Sequence, residues 1–429
     1  MTASAAVQKT ELMVVGTGLT GSAATAFAAA RGIDTIQIGS TPGQTLFASG
    51  LLDLLGIHPL SLRCRWDNPW AGIISLINDL PEHPYAKAGM ENIHKAWKSF
   101  LEILHRAGLH YCGWPEANAV LATCAGTLKT TWQVPRTMWP GVLGLQDKRS
   151  ALIIDFEGMK EFSAVQVVET LRDRWPGLRA QRLEFPCTFP GVDRQNIFLA
   201  EALESQHVRK ALAEAILPFI QNAELIGMPA ILGMHQSEAV AADLGKELGR
   251  PVFEIPTMPL SVPGLRLMGA IEKQALRAGA VIMHGVRATA VKSSRDRIFS
   301  VSVEADHGKM SIESEGVILA TGRFLGGGLA ASRSGIRETL LELPVYQPKL
   351  RDDWHRTRFL DSRGHPINQA GLEIDGFFRP LGRNNEIAYE NLFAAGSLLA
   401  HQDWVRMKCG AGLAITTAFA AVQSFLELR

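Results

Sequence analysis

Gly16, Gly18 and Gly21 stand in the spacing G-x-G-x-x-G, which can cradle a phosphate. The first glycine permits a tight turn, the second lets backbone approach an anion closely, and the third lets a helix pack on a strand. Glycines also fall at this spacing in ordinary turns, so the flanking residues decide the reading. Residues 12–15 (LMVV) form the short apolar run of a buried parallel strand. Residues 20–30 are rich in alanine, a strong helix former, and Gly32 stands where a helix stop belongs. Residues 35–38 (TIQI) read as a second strand. This order places unpaired N–H groups and the positive end of a helix dipole beside Gly18, Leu19 and Thr20, which suits a nucleotide phosphate.

One piece of that pattern is absent. Dinucleotide folds usually close the second strand with an Asp or Glu that accepts the adenosine ribose 2′-OH. Here the strand runs out as Ile38-Gly39-Ser40-Thr41, and Asp34 precedes it on the wrong side. Either Ser40 or Thr41 replaces the carboxylate, or the ligand has no adenosine ribose at that place.

Further glycine turns follow apolar runs late in the chain. Residues 316–322 (GVILATG) read as a strand ending in Thr321-Gly322, with Gly326-Gly327-Gly328 beyond. Residues 391–397 (NLFAAGS) read as a strand into Gly396-Ser397. Such positions are where doubly wound sheets bind ligands. Cys409-Gly410-Ala411-Gly412 opens an alanine-rich helix over 413–425.

The elements that must position these turns alternate. Residues 92–107 carry the apolar stripe of an amphipathic helix at Ile93, Trp97, Leu101 and Leu104. Its His94 and His105 read as solvated or capping. Strand-like runs at 152–156, 179–185, 225–232 and 252–255 are separated by helical stretches at 163–175, 208–219 and 238–248, which is βαβ grammar. Pro256, Pro259 and Pro263 mark a boundary before a helix over 266–278 and a strand over 281–284. Alternation at 288–292, 298–304 and 309–313 predicts a β-meander.

Composition narrows the class. A chain of 429 residues is too long for one small core, so two lobes are expected. Hydrophobic content of 47%, charge of 20% and net charge of +1, with Lys and Arg scattered, describe a globular protein without a nucleic-acid surface. Five cysteines (Cys64, Cys112, Cys124, Cys187, Cys409) without a C-x-x-C argue against an iron–sulfur cluster or structural zinc in this chain, and for a reducing compartment. The first ten residues lack a hydrophobic signal core, and no stretch has the uninterrupted apolar length of a membrane span.

The glycine turn, the meander ending in VILATG, the late NLFAAGS and the closing glycine-led helix together resemble the two-dinucleotide-binding-domain flavoproteins that include the fumarate reductase and succinate dehydrogenase group. More narrowly, the chain resembles the family formed by the B subunit of anaerobic glycerol-3-phosphate dehydrogenase. The matching stretches are 47–55 (FASGLLDLL), 83–85 (HPY), 126–132 (GTLKTTW), 228–230 (MPA), 256–267 (PTMPLSVPGLRL), 335–338 (GIRE) and 390–397 (ENLFAAGS). They run in order along nearly the whole length.

The resemblance implies an α/β fold: a Rossmann-like flavin-binding domain with a β-meander and an inserted α/β cap. The expected segments are 1–60, 261–335 and 386–429 for the flavin domain, with 61–260 and 336–385 for the cap. It also implies a flavin, FMN by the family's usual assignment and FAD as the alternative. FMN has no adenosine ribose and would tolerate the missing acid. The expected partners are a catalytic FAD subunit and an iron–sulfur subunit that passes electrons to membrane quinone. The chain would then be cytoplasmic and held peripherally at the inner face of the membrane. The expected reaction is sn-glycerol 3-phosphate to dihydroxyacetone phosphate. Rival readings are a stand-alone flavin oxidoreductase of another small substrate and a non-catalytic scaffold.

On this reading Gly16, Gly18, Leu19, Thr20, Gly21, Ser40, Thr321, Gly322, Gly396 and Ser397 are candidate cofactor contacts. Ser49 and Gly50 could hydrogen-bond the flavin ring, or Ser49 could be a helix N-cap. Gly410 and Gly412 begin the helix whose dipole would face the flavin pyrimidine, where reduction places negative charge. Lys408 could add charge there, or be merely exposed. Arg266 and Arg337 are candidate anion contacts, with structural salt bridges as the equal alternative. His83 and His401 are candidate bases, each with a structural role as the plainer reading. Arg323 has no counterpart to carry over from the family; it tunes the flavin or is simply exposed. No metal site is expected.

Overall fold

The computed structural model describes residues 7–187, 195–293, 298–305 and 308–429, so residues 1–6 of the N-terminal stretch lie outside it. The chain divides into two compact units, one of Met1–Gln44, Asp53–Ala107 and Ile271–Arg429, the other of Thr45–Leu52 and Gly108–Ala270.

The first unit is built on a seven-stranded sheet. Its strands run in the order Val281–His284, Thr35–Gly39, Val7–Val15, Gly308–Leu319, Phe299–Ala305 and Arg287–Ser293, with Leu392–Ala394 added against Gly308–Leu319. The first strand starts earlier than its apolar run, because its ladder with Gly308–Leu319 continues back to Val7 opposite Ser311. The meander is present, and its last arm is one strand with the VILATG run. Residues 308–314 pair antiparallel with Phe299–Ala305, while Val317–Leu319 pair parallel with Leu392–Ala394. Leu19–Ala29 is buried from Gly21 to Ala29, as befits a helix apolar on every face. Its Phe27 meets Phe419 edge-on at 5.3 Å and Phe100 at 6.3 Å. Each such burial is worth about 2–3 kcal/mol.

Three expectations need correction here. The helix expected over 92–107 is preceded, across a kink at Gly89 (φ 74°), by an extra turn that His83 caps and Pro84 opens, the two together spanning Pro84–Arg106. Pro263 falls inside the helix Val262–Arg277 rather than before it, a first-turn place that proline's missing N–H allows. Finally, Gly410–Leu428 is by length and composition apolar enough to cross a membrane. It is mostly buried against Leu19–Ala29 and Pro84–Arg106, so packing accounts for its composition.

The second unit carries a four-stranded, all-parallel sheet ordered Val252–Ile255, Leu225–Pro229, Ala151–Phe156, Leu178–Leu183. The intervening helices are Ala164–Leu171, Gln206–Ile216 and Ser237–Leu248, which is the βαβ alternation expected. Ala151–Phe156 and Val252–Ile255 are buried along their whole length, and Trp175 stacks on Phe253 at 5.9 Å.

Candidate functional site

Parallel pairing brings the carboxyl ends of Thr35–Gly39, Val7–Val15, Gly308–Leu319 and Leu392–Ala394 to one edge of the first unit's sheet. Three glycine turns meet there. In the first, Gly16 adopts φ +130°, and a Cβ on it would lie 2.2 Å from the Ala320 carbonyl oxygen. Its N–H donates to the Ile38 carbonyl at 2.7 Å, and its carbonyl accepts from Gln37 Nε2 at 2.8 Å. A Cβ on Gly21 would lie 1.9 Å from the Gly16 carbonyl oxygen, so the third glycine has its expected packing role. Gly18 differs: the nearest atom to a Cβ there is Gly43 Cα, at 3.9 Å. It begins Leu19–Ala29 with no side-chain cap and no acidic residue in the first turn. The helix therefore presents its first N–H groups and positive dipole end unneutralised.

The second turn is Thr321-Gly322, with Gly322 at φ +69°. The Thr321 hydroxyl is buried without a hydrogen-bond partner. Gly326 and Gly328 fold back so closely that a Cβ on Gly328 would lie 2.1 Å from the Gly322 carbonyl oxygen. The third turn is Gly396-Ser397. The Gly396 N–H donates to Thr417 Oγ1 at 2.8 Å, and a Cβ on Gly396 would lie 2.2 Å from Thr20 Oγ1. Arg323 ties the second turn to the third, donating from Nε to the Ser397 carbonyl at 2.7 Å. It is half-buried, which removes the exposed alternative.

An uncapped helix start, an orphaned buried hydroxyl and three crowded glycine turns are donor chemistry that fits the phosphate and polar ring edge of a flavin nucleotide. Ser40, where the ribose acid would stand, is exposed. The loop behind it folds back: the Thr17 hydroxyl donates to the Thr41 carbonyl, and a Cβ on Gly43 would lie 2.6 Å from Gly18 Cα.

The last helix begins at Gly410 with buried Cys409 as its N-cap residue, whose thiol is pushed up by burial. Gly412 is pinned: its N–H donates to the Asp53 carbonyl at 2.8 Å, and a Cβ would lie 2.0 Å from Tyr85 Oη. Tyr85 is buried and donates to the Leu54 carbonyl at 2.7 Å. Gly410 lies against the Trp404 ring, and Lys408 is exposed in a left-handed conformation. Sequence reasoning missed Tyr85, Gln37 and Thr417 as supports. Only Tyr85 had a signal, through the HPY motif.

His83 is fully buried and caps its helix, Nδ1 accepting the Tyr85 N–H at 3.1 Å. Burial, reinforced by His58 and His401, lowers its proton affinity to about 3. It is neutral at physiological pH, with Nε2 unpartnered. His401 pairs with Glu373 at 2.9 Å and tilts on the Tyr346 ring at 4.1 Å. Arg337 is exposed on the short strand Ile336–Glu338.

Arg266 lies in the second unit, its guanidinium held by Glu254 at 2.7 and 2.8 Å and by the Gly233 carbonyl at 2.8 Å. Ser49 and Gly50 also belong to the second unit, where the Gly50 carbonyl accepts from Tyr111 Oη at 2.7 Å. No helix follows Ser49, so its N-cap alternative does not apply. Among the described residues, no group of three or more His, Cys, Asp or Glu is arranged to hold a metal ion.

The family model described as "FAD binding domain" matches residues 11–413. The B subunit of anaerobic glycerol-3-phosphate dehydrogenase from Vibrio vulnificus (strain YJ016) is 27% identical over 429 residues, covering 98% of this chain and 97% of that protein. The protein of the same name from Yersinia pestis bv. Antiqua (strain Antiqua) is 29% identical over 435 residues, covering 98% and 99%. Among solved structures, the open conformation of a flavocytochrome c3 fumarate reductase aligns with 98% of this chain and 78% of that one, at 10% identity and a TM-score of 0.44. With the family model spanning nearly all of the sequence, the chain belongs to the FAD binding domain family of flavoproteins.

Proposed function

We propose that this chain is the flavin-bearing, electron-transferring subunit of a quinone-linked glycerol-3-phosphate dehydrogenase. The observation that carries the reading is end-to-end likeness to proteins of that name, on a chain whose strand-end turns are built to hold a nucleotide. Bound there, a flavin supplies acceptance of an electron pair and its onward release one electron at a time. The residues that would hold it are Gly16, Gly18, Leu19, Thr20 and Gly21 for the phosphate, and Thr321, Gly322, Gly396 and Ser397 beside them.

The cofactor we propose is FMN. Two features support it: no acid follows the second strand, and the loop at 41–43 packs onto Gly18, on the side an adenosine half would approach. Oxidation of sn-glycerol 3-phosphate to dihydroxyacetone phosphate would then fall to a catalytic FAD subunit. An iron–sulfur subunit would carry electrons to quinone and hold the assembly at the inner face of the membrane. That division of labour is supported by His83, which is buried and neutral, and by Arg266, whose charge is matched by Glu254. Neither is poised as a base or a phosphate clamp.

The test is to purify the chain alone and with its two partners, identify the flavin released on denaturation, and assay glycerol-3-phosphate:quinone turnover. Released FMN, with turnover only in the full assembly, is the expected result. Turnover by the isolated chain would instead establish a stand-alone oxidoreductase.

A further inference from the structure

Arg323 follows Thr321-Gly322 directly, and its guanidinium reaches three separate segments. Nε donates to the Ser397 carbonyl at 2.7 Å, Nη2 to the Gln402 carbonyl at 3.0 Å, and Nη1 to the Asn368 carbonyl. All three acceptors are neutral. The acid that bears on it electrostatically is Asp403, and that carboxylate already receives Asn368 Nδ2 at 2.9 Å and Arg406 Nη1 at 3.2 Å. In the neighbouring pair, His401 Nε2 and Glu373 Oε1 lie 2.9 Å apart. Burial lowers the guanidinium's proton affinity only to about 10, so it stays charged at neutral pH.

The acceptor geometry is demanding. Gln402 is fully buried, and its Nε2 donates to the same Ser397 carbonyl at 3.2 Å and to the Leu399 carbonyl at 2.9 Å. Residues 396–402 are thus held by side chains in addition to the short backbone bridge that Leu398 and Ala400 make to Leu372. A planar fork with five donors suits three diverging carbonyls; an ammonium on a flexible stem does not. A half-buried cation without a carboxylate partner is costly. The charge therefore calls for a second role. The buried, partnerless Thr321 hydroxyl and the left-handed Gly322 stand immediately before it.

We infer that Arg323 is a positioning residue of the flavin site with two separable effects. It fixes the Gly396–Gln402 segment against the Thr321-Gly322 turn, and its own positive charge favours the reduced, anionic flavin. The second effect rests on the flavin reading; the first does not. A cation beside developing negative charge stabilises it most strongly where water is excluded, so the midpoint potential of the bound flavin is raised.

The experiment compares wild type, Arg323→Lys and Arg323→Met by three measurements: hydrogen–deuterium exchange of the flavin-free chain over 396–402, the flavin dissociation constant, and the midpoint potential of the loaded chain. Both variants should exchange faster over 396–402. Arg323→Met should bind flavin about tenfold more weakly, because the Gly396–Gln402 wall is no longer fixed, and should have a more negative potential. Arg323→Lys should keep a potential close to wild type. Wild-type exchange in both variants overturns the splint. A wild-type potential in loaded Arg323→Met overturns the charge effect while leaving the flavin reading intact. A wild-type chain that binds neither FMN nor FAD overturns the flavin reading and the charge effect together, with the exchange result still deciding the splint.

Discussion

Both units gather polar groups at the carboxyl ends of parallel strands, and they satisfy them in opposite ways. In the second unit the strand-end acids are used up internally. Asp155 accepts Arg182 Nε and Nη2 at 2.9 and 2.7 Å and receives the Ala164 N–H at 3.0 Å. Glu254 accepts Arg266 on both oxygens, the Leu232 N–H at 2.7 Å and the Thr137 hydroxyl. In the first unit the corresponding edge ends in glycine turns, an uncapped helix and a hydroxyl without a partner. A parallel sheet always concentrates dipoles at this edge; it becomes a ligand site only where the protein declines to neutralise them.

The contrast can be attacked at both ends. Glu254→Leu leaves Arg266 buried without its counter-charge, and the expected cost is about 3–5 kcal/mol in a urea denaturation series. The folded fraction should keep a wild-type flavin spectrum; loss of flavin from native protein would blur the distinction drawn between the sheets. Gly16→Ala forces a Cβ to 2.2 Å from the Ala320 carbonyl oxygen at φ +130°. A loss of about 3 kcal/mol is expected, together with loss of flavin absorbance.

Acid should act on the first unit through His83. Its folded proton affinity lies near 3 against the ordinary 6.5. The unfolded state therefore binds the extra proton, and the contribution is fully present above about pH 6.5 and is lost as pH falls toward 3. At pH 5 this group alone should lower stability by about 2 kcal/mol relative to pH 7.5. His83→Asn keeps a helix cap and should flatten that slope, as measured by denaturation midpoints against pH. The smallest effect expected is that of Thr17→Val, which removes the hydroxyl bond to the Thr41 carbonyl. A cost of about 1 kcal/mol should accompany a rise in the FAD-to-FMN ratio extracted from the protein. An unchanged ratio would detach that loop from nucleotide choice.

Much of this was legible from the residues. The glycine spacing, the alternating meander and the glycine-led last helix each name a local structure, since apolar periodicity and glycine placement act over a few residues. The strand Val252–Ile255 fell on its expected residues. What stayed hidden depends on partners far along the chain. Nothing around Arg266 announces Glu254 as its counter-charge, because the pair closes through sheet topology. Nothing in HPY says that Tyr85 will wall the start of a helix more than three hundred residues later. Arg323 was ambiguous for the same reason: its acceptors are backbone carbonyls, which carry no residue signature.

The ladder between Val7–Val15 and Gly308–Leu319 joins positions about 300 residues apart. The wall of the Gly16 turn is Ala320, so the turn cannot take its final shape until about three quarters of the chain has left the ribosome. The parallel sheet of the second unit needs only residues 151–255 and can close while the first strand still waits. During synthesis the apolar residues 12–15 can pair with Thr35–Gly39 on one side only, and their other edge stays open. A chain interrupted before the closing strands would not be a weakened flavoprotein. It would hold one finished unit and a strand paired along only one of its two edges.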